Sequence, residues 1–525
     1  QDWMESVDRF QNHKQEFEEM KTTLLDKCDK VCGNKYFPLV IAPFAFLFVL
    51  LFSVTTSPIY NDVNGDSAVF RMMGFVLTHG GIPYVDFFDH KGPVLYFINA
   101  LGELISPRWG LFSIQVVWCF LSMWLWFKIA RLFVRPTVAF IVLCLTSVVF
   151  YIGTYNYGNL TEEWSILPAS LAIYLSLAYM VKHKDSTHPR WQSLIYGLCF
   201  GAMFLIRPND AVIQCGGVMT GIFLYIVFVQ KEYKQAIANA LAFFIGFVIV
   251  ATPFIAYFAY HHALSEFYTG LLGFNMGYFS GGLLAGLLQF RFVIGILSIC
   301  AIPAILAYAA NQKESLQILV PIYILALLLV GRNAFPHYYM TLIPSTFLLA
   351  VTFIFKQNSK PLMIMASILL LMLPSKFGGV ECFQFAVTSY NVMKETIKGP
   401  SQSHEYQYYE ELGESEELFA LIPTQERDSV WNYNDFFCRF FYHNGIIAQN
   451  PIAPVVAAQK HLPDNMESMR QITFHKPLWV FYKNISNHEP GFHYMFPTDS
   501  TFIANHYEVV GKNESSSCLL LKRID

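Results

Sequence analysis

The chain has 525 residues, 54% of them hydrophobic and 17% aromatic, with only 14% charged and a mean hydropathy of +0.39. That is far from the quarter-charged make-up of a soluble globular domain and reads as a polytopic membrane protein. A net charge of -3 provides no bulk field for nucleic acid, so no nucleic-acid partner is read and basic residues count by position.

Residues 1–37 are rich in Glu and Lys, with Phe10, Phe17, Met20 and Leu24 recurring at helical intervals. This fits an amphipathic cytoplasmic helix on the membrane or on a partner, or else a solvated tail. No cleavable leader is visible after Gln1, so the first apolar segment is expected to act as its own insertion signal. About 20 apolar residues cross the roughly 30 Å of hydrocarbon in a bilayer. Eleven candidate spans meet or approach this within the region 38–379. They are Pro38–Ser57, Trp109–Phe133, Thr137–Tyr155, Trp164–Val181, Trp191–Ile206, Ala211–Val229, Ala236–Tyr260, Phe290–Ala309, Leu316–Val330, Tyr338–Phe355 and Leu362–Pro374. Val94–Ile105 is apolar but short and stopped by Pro107, which predicts a re-entrant or interfacial helix.

Lys and Arg are retained on the cytoplasmic side of short connections. Counting alternately, Arg131, Arg135, Lys182, Lys184, Arg190, Lys231, Lys234, Lys313, Lys356 and Lys360 fall on one side with the basic amino-terminal tail. The other side then holds the first loop, 58–93, and everything after Ser375, with few basic residues: Arg71, Lys91, Arg108, Arg207 and Arg332. From about residue 380 the hydropathy falls, and short alternating segments appear at Leu478–Tyr482, Tyr507–Val510 and Cys518–Leu521. Residues 380–525 therefore read as a small extracytoplasmic α/β or α+β domain. Ten cysteines are scattered, and the helically spaced Cys28 and Cys32 have no second pair to complete a zinc site.

The first loop, from Asn64 to Pro93, is polar, acidic and glycine-punctuated between hydrophobic stretches. It places Asp66, Asp86, Asp89, His90 and Lys91 at headgroup level. Transfer of a sugar from a phosphate-linked carrier needs a base for the acceptor hydroxyl and positive charge for the departing phosphate, and this loop offers both. Each residue also has a plainer reading. Asp66 can cap the helix predicted over Ser67–Leu77. Lys91 can pair with Asp89, Glu162 and Glu163 can favour a helix start behind Thr161, and Arg207 can snorkel to the interface. Arg332 and His337 share the short stretch GRNAFPHY between two spans.

The run GDSAVFRMMGFVLTHGGIPYVDFFDHKGPVLYFINALG, with GNLTEE, LIRPN and FPHYYMTLIP following in order, resembles the GT-C superfamily. It is most similar to bacterial enzymes related to protein O-mannosyltransferases and to the aminoarabinose transferase of lipid A. The resemblance implies a polytopic α-helical membrane enzyme with about 11 spans. It also implies a polyprenyl-phosphate-linked sugar donor and a lipid, glycan or protein acceptor, with membrane lipids as surroundings. By the same resemblance Asp66 is the base, Lys91 contacts the donor phosphate, and Glu162, or Glu163 one residue on, is the acid at the start of the fourth span. Arg207, Arg332 and His337 match phosphate-contacting positions, and Asp86, Asp89, His90 and Glu163 take supporting places. The family pattern often sets a second acid directly after the first, where this chain has Ser67, so no cofactor is read and a divalent metal has only one carboxylate of the pair. The expected place is the bacterial inner membrane, with the amino terminus cytoplasmic and the site periplasmic. Two other readings are a flippase for lipid-linked saccharides and a catalytically inactive scaffold. A flippase would need ionisable residues deep within the spans, whereas nearly every charge here lies at a span end.

Overall fold

Long apolar runs become helices because lipid leaves no other partner for backbone N–H and C=O groups. The computed structural model describes residues 22–59, 65–276, 290–330, 336–356, 394, 417–433, 438, 441–442, 444–447, 472–483, 497–512 and 518–525. Among them, six helices are long and apolar enough to cross a membrane: α5 (Gly110–Ala130), α6 (Pro136–Tyr155), α7 (Thr161–Lys182), α9 (Pro208–Gln230), α10 (Tyr233–Tyr260) and α14 (His337–Lys356). Four further apolar helices belong to the membrane part: α2 (Pro38–Phe52), α8 (Arg190–Phe204), α12 (Phe290–Ala309) and α13 (Lys313–Leu329). The expected spans match these helices to within a few residues, except Pro38–Ser57, whose helix stops at Phe52; Leu362–Pro374 lies outside the described residues.

One core joins α2, α5 to α9 and α12 to α14 through side chains such as Phe48, Trp126, Tyr151, Met203 and Ile322. Helix α10 is different: Ile237, Leu241, Phe244, Ile245, Val248 and Ile249 are exposed, a lipid-facing stripe. Its other face lies on α8 so closely that a Cβ on Gly197 would meet the Phe243 carbonyl oxygen at 1.9 Å, the small-residue packing that membrane helices use.

The first loop contains α3 (Gly65–Thr78) and leads into α4 (Pro93–Ile105), and the two helices pack together. Helix α3 covers the predicted Ser67–Leu77. Helix α4 is amphipathic, burying Leu95, Tyr96 and Asn99 while Leu101, Leu104 and Ile105 stay exposed. Helix α11 (Leu264–Tyr268), with the turn Thr269–Gly273 that continues it, flanks the loop.

The carboxyl-terminal region carries a four-stranded sheet in the order β1 (Val430–Tyr433), β2 (Trp479–Lys483), β4 (Cys518–Arg523), β3 (Tyr507–Lys512). Strands β1 and β2 are parallel, while β4 is antiparallel to both β2 and β3. Alternation along the strands divides the side chains between two faces. Val430, Trp479, Phe481, Cys518 and Leu520 join a core with Phe70, Phe75 and Phe87 of the first loop. Trp431, Val480 and Leu521 face the opposite side, against α15 (Pro497–His506). The sheet therefore rests on the first loop, the side of the bundle that carries Asp66.

Among the described residues, basic residues counted with the amino-terminal tail lie at the opposite helix ends, as Lys182, Lys184 and Arg135 do. Helix α7 runs from Thr161 to Lys182, roughly 33 Å at about 1.5 Å per residue. Beyond Lys182, Lys184 pairs with Glu314 at 2.7 Å. At the start of α6, Arg135 pairs with Asp26 and with Asp29 at 2.5 Å, and Thr137 N–H donates to Asp29 at 2.9 Å. Helix α1 (22–32) is thus held by the chain's own α5–α6 turn.

Candidate active site

Two helix ends meet to build the site. Helix α8 stops at Phe204 because Pro208 forces Arg207 into an extended conformation (φ -152°, ψ 106°) and starts α9 in its place. The carbonyls left without helical partners at Leu205 and Ile206 accept Val94 N–H at 3.0 Å and Gly92 N–H at 2.9 Å, donors that open α4. Pro93 lies between and has no N–H to satisfy. The junction is so tight that a Cβ on Gly92 would stand 2.1 Å from the Leu205 oxygen, so only glycine fits. Lys91 and Arg207 are the residues next to this junction on its two sides.

Lys91 does not pair with Asp89. Its Nζ lies 2.5 Å from His90 Nε2, and His90 Nδ1 faces Asp89 Oδ1 at 3.4 Å without the alignment of a hydrogen bond. Asp89 is buried and accepts the Tyr96 hydroxyl at 2.8 Å. Tyr84 donates to the Lys91 carbonyl at 2.6 Å, and Lys91 N–H donates to the Tyr96 oxygen at 3.0 Å, so two tyrosines clamp this turn. Burial alone would push the Asp89 carboxyl up; His90, the Lys91 charge and the Tyr96 hydrogen bond outweigh it and hold the group well below the usual carboxylate range. Burial, with Lys91 adding to it, pushes the His90 imidazole below its ordinary value against the pull of Asp89 and Asp66.

Glu162, buried in the first turn of α7, accepts Arg207 Nη1 and, at 2.7 Å, the Thr161 hydroxyl. Arg207 also lies 3.7 Å from Asp210 and stacks 4.1 Å above the Tyr338 ring. His337 approaches Asn156 Nδ2 at 3.3 Å through Nδ1 and stands within electrostatic reach of Glu162, Asp66, Arg207 and Lys91. Asp66 sits half-buried in the first turn of α3 rather than ahead of the helix, where the helix dipole favours a carboxylate.

Asp66, His90, Lys91, Glu162, Arg207 and His337 therefore form one cluster. Asp86 stands apart, exposed and holding its own turn by accepting Ile82 N–H at 2.6 Å. Glu163 points the other way, into a buried network with Gln115 Nε2 at 2.9 Å, the Tyr155 hydroxyl at 2.5 Å and Asn159 N–H at 2.6 Å. Arg332 lies outside the described residues. Asp210, Tyr96, Tyr338 and Asn159 are additions that the sequence reading missed. Asp210 was legible from its i,i+3 spacing to Arg207, while the ring contacts leave no pattern in the sequence.

Ser67, where the family pattern often has a second acid, is buried and accepts Asn159 Nδ2 at 2.8 Å. Among the described residues, no group of three or more His, Cys, Asp or Glu side chains is placed to hold a metal ion. Asn159 itself is fully buried.

The family model of dolichyl-phosphate-mannose-protein mannosyltransferases matches residues 90–257, about a third of the chain. Among solved structures, ArnT from Cupriavidus metallidurans bound to undecaprenyl phosphate is 12% identical with a TM-score of 0.54, covering 93% of this chain and 98% of its own. The apo oligosaccharyltransferase of Archaeoglobus fulgidus is 12% identical with a TM-score of 0.49, covering 86% and 70%. No curated protein matches. The fold shared with ArnT and the mannosyltransferase family model agree with the resemblance read from the sequence.

Proposed function

We propose that this protein is a GT-C-type glycosyltransferase that moves a sugar from a polyprenyl-phosphate donor to a hydroxyl of a lipid-, glycan- or protein-linked acceptor, a reading that the mannosyltransferase family model and the fold shared with ArnT support. Asp66 takes the acceptor proton as the hydroxyl oxygen bonds to the anomeric carbon. The bond from that carbon to the phosphate oxygen breaks on the opposite face, with inversion, and polyprenyl phosphate leaves. Lys91 and Arg207 hold its developing charge, with His337 beside them, and Glu162 fixes the guanidinium that it pairs with. Lipid and polymer anchors place both substrates, so proximity and charge stabilisation supply most of the acceleration. The site faces the extracytoplasmic side of a bacterial inner membrane in this reading, and the basic helix ends at the far side support that orientation.

The observation that carries the proposal is the Gly92–Ile206 junction, which brings a lysine and an arginine to one site where both, like Asp66, act electrostatically on His337. The test is Asp66→Asn, which keeps the volume and removes the base. Turnover is expected to vanish while the melting temperature and donor affinity hold. Full turnover in the variant would overturn the assignment of Asp66.

A further inference from the structure

An ammonium group can only donate hydrogen bonds. With Lys91 Nζ 2.5 Å from His90 Nε2, that ring nitrogen must be the bare acceptor, and the imidazole proton sits on Nδ1, towards Asp89. A doubly protonated ring would set two cations against each other and could accept nothing. The ring has little freedom to turn away. Phe274 lies 4.8 Å from it, Asn275 Nδ2 donates to the His90 carbonyl at 2.9 Å, and Tyr96 fixes the carboxylate behind it. Among the described residues, the charged groups that weigh most on His90 are Asp89 and Lys91 in its own turn and Asp66 from α3; Phe274 and Asn275, after α11, are uncharged.

We infer that His90 is a positioning residue: its neutral imidazole pins one donor of the Lys91 ammonium, leaving the other two aimed at the donor phosphate, and protonation of the ring releases Lys91. The inference rests on the proposed contact between Lys91 and that phosphate. It predicts a loss of donor affinity on acidification that belongs to the protein and lies below the usual imidazole range, because burial and Lys91 both oppose ring protonation.

The experiment measures binding of undecaprenyl phosphate to the full-length protein in nanodiscs between pH 4.5 and 8 for the parent, His90→Gln, His90→Ala and Lys91→Ala. Glutamine keeps an acceptor and does not titrate, and the ionisation of the lipid phosphate itself is common to every variant. His90→Gln should bind near the parent level at pH 8 and lack the parent's additional loss at acid pH, roughly tenfold. His90→Ala should bind weakly throughout. Identical pH profiles for His90→Gln and the parent would overturn the inference. So would parent-like binding by His90→Ala while Lys91→Ala is weak, an outcome that leaves the proposed function standing. Parent-like binding by Lys91→Ala would instead place the phosphate elsewhere and remove both.

Discussion

Gly92 N–H donates to the Ile206 carbonyl at 2.9 Å, joining the start of α4 to the end of α8. This backbone contact joins the residues that adjoin Lys91 and Arg207, although those two are 116 positions apart in sequence. Gly92→Ala would drive a methyl group into the Leu205 oxygen, where backbone on both sides prevents relief. Overpacking of this kind costs about 1–3 kcal/mol. The variant is expected to lose donor binding as Lys91→Ala does, but with a lowered melting temperature that Lys91→Ala does not share. A Gly92→Ala protein with parental stability and turnover would show that the junction does not set the site.

The adjacent glutamates should fail in different ways. Removing Arg207 strands Glu162 as a buried carboxylate, a loss of about 3–5 kcal/mol that Glu162→Gln in the same chain should largely restore without restoring turnover. Arg207→Lys gives up the planar group stacked on Tyr338 and should lose activity despite keeping the charge. Glu163→Gln replaces an acceptor of several donors by an amide that must turn N–H groups towards some of them. It should cost about 1–3 kcal/mol in stability with donor affinity unchanged. Thermal unfolding and lipid titration of these variants check the pattern, and a donor-binding defect confined to Glu163→Gln would reverse the two roles.

The membrane helices were legible because hydropathy and length suffice for them, and α3 because Gly65-Asp66 precedes an apolar run with helical spacing. The strands at Leu478–Tyr482, Tyr507–Val510 and Cys518–Leu521 were legible by alternation, since one face meets the first loop and the other meets α15. Sequence could narrow the acid of α7 only to Glu162 or Glu163. Neighbouring helical positions differ by about 100° around the axis, and what each one faces is set by the packing of α5 and α9. Asn159 was unreadable as the hub that joins Ser67, Asn99 and Trp164, because that role depends on its left-handed backbone (φ 56°) and on three partners distant in sequence or rotated by the turn. The tether of His90 to Lys91 was hidden for a related reason. The sequence offered Asp89 as the obvious partner of Lys91, and only the turn clamped by Tyr84 and Tyr96 interposes the imidazole.

Tyr442 links the sheet domain to the first loop. Its hydroxyl accepts Arg71 Nη2 and donates to Glu103 Oε2 at 2.8 Å, and its ring lies 4.5 Å below the Arg71 guanidinium. Arg71 is buried and also donates to the Pro107 carbonyl at 2.6 Å, so α3, the end of α4 and the sheet domain meet at one arginine. Tyr442→Phe keeps the ring and the stacking but leaves Arg71 and Glu103 without their shared hydroxyl, a loss of about 1–2 kcal/mol. Because α3 is also anchored within the membrane part through Ser67 and Asn159, the loosening should fall on the sheet domain. Amide hydrogen exchange is expected to speed up in β2 and β4 while α5 and α7 are unchanged, and undecaprenyl phosphate should bind as in the parent. Unaltered exchange in β2 and β4 would mean that the apolar contact of Val430, Phe481 and Leu520 with the loop holds the sheet domain without the hydroxyl.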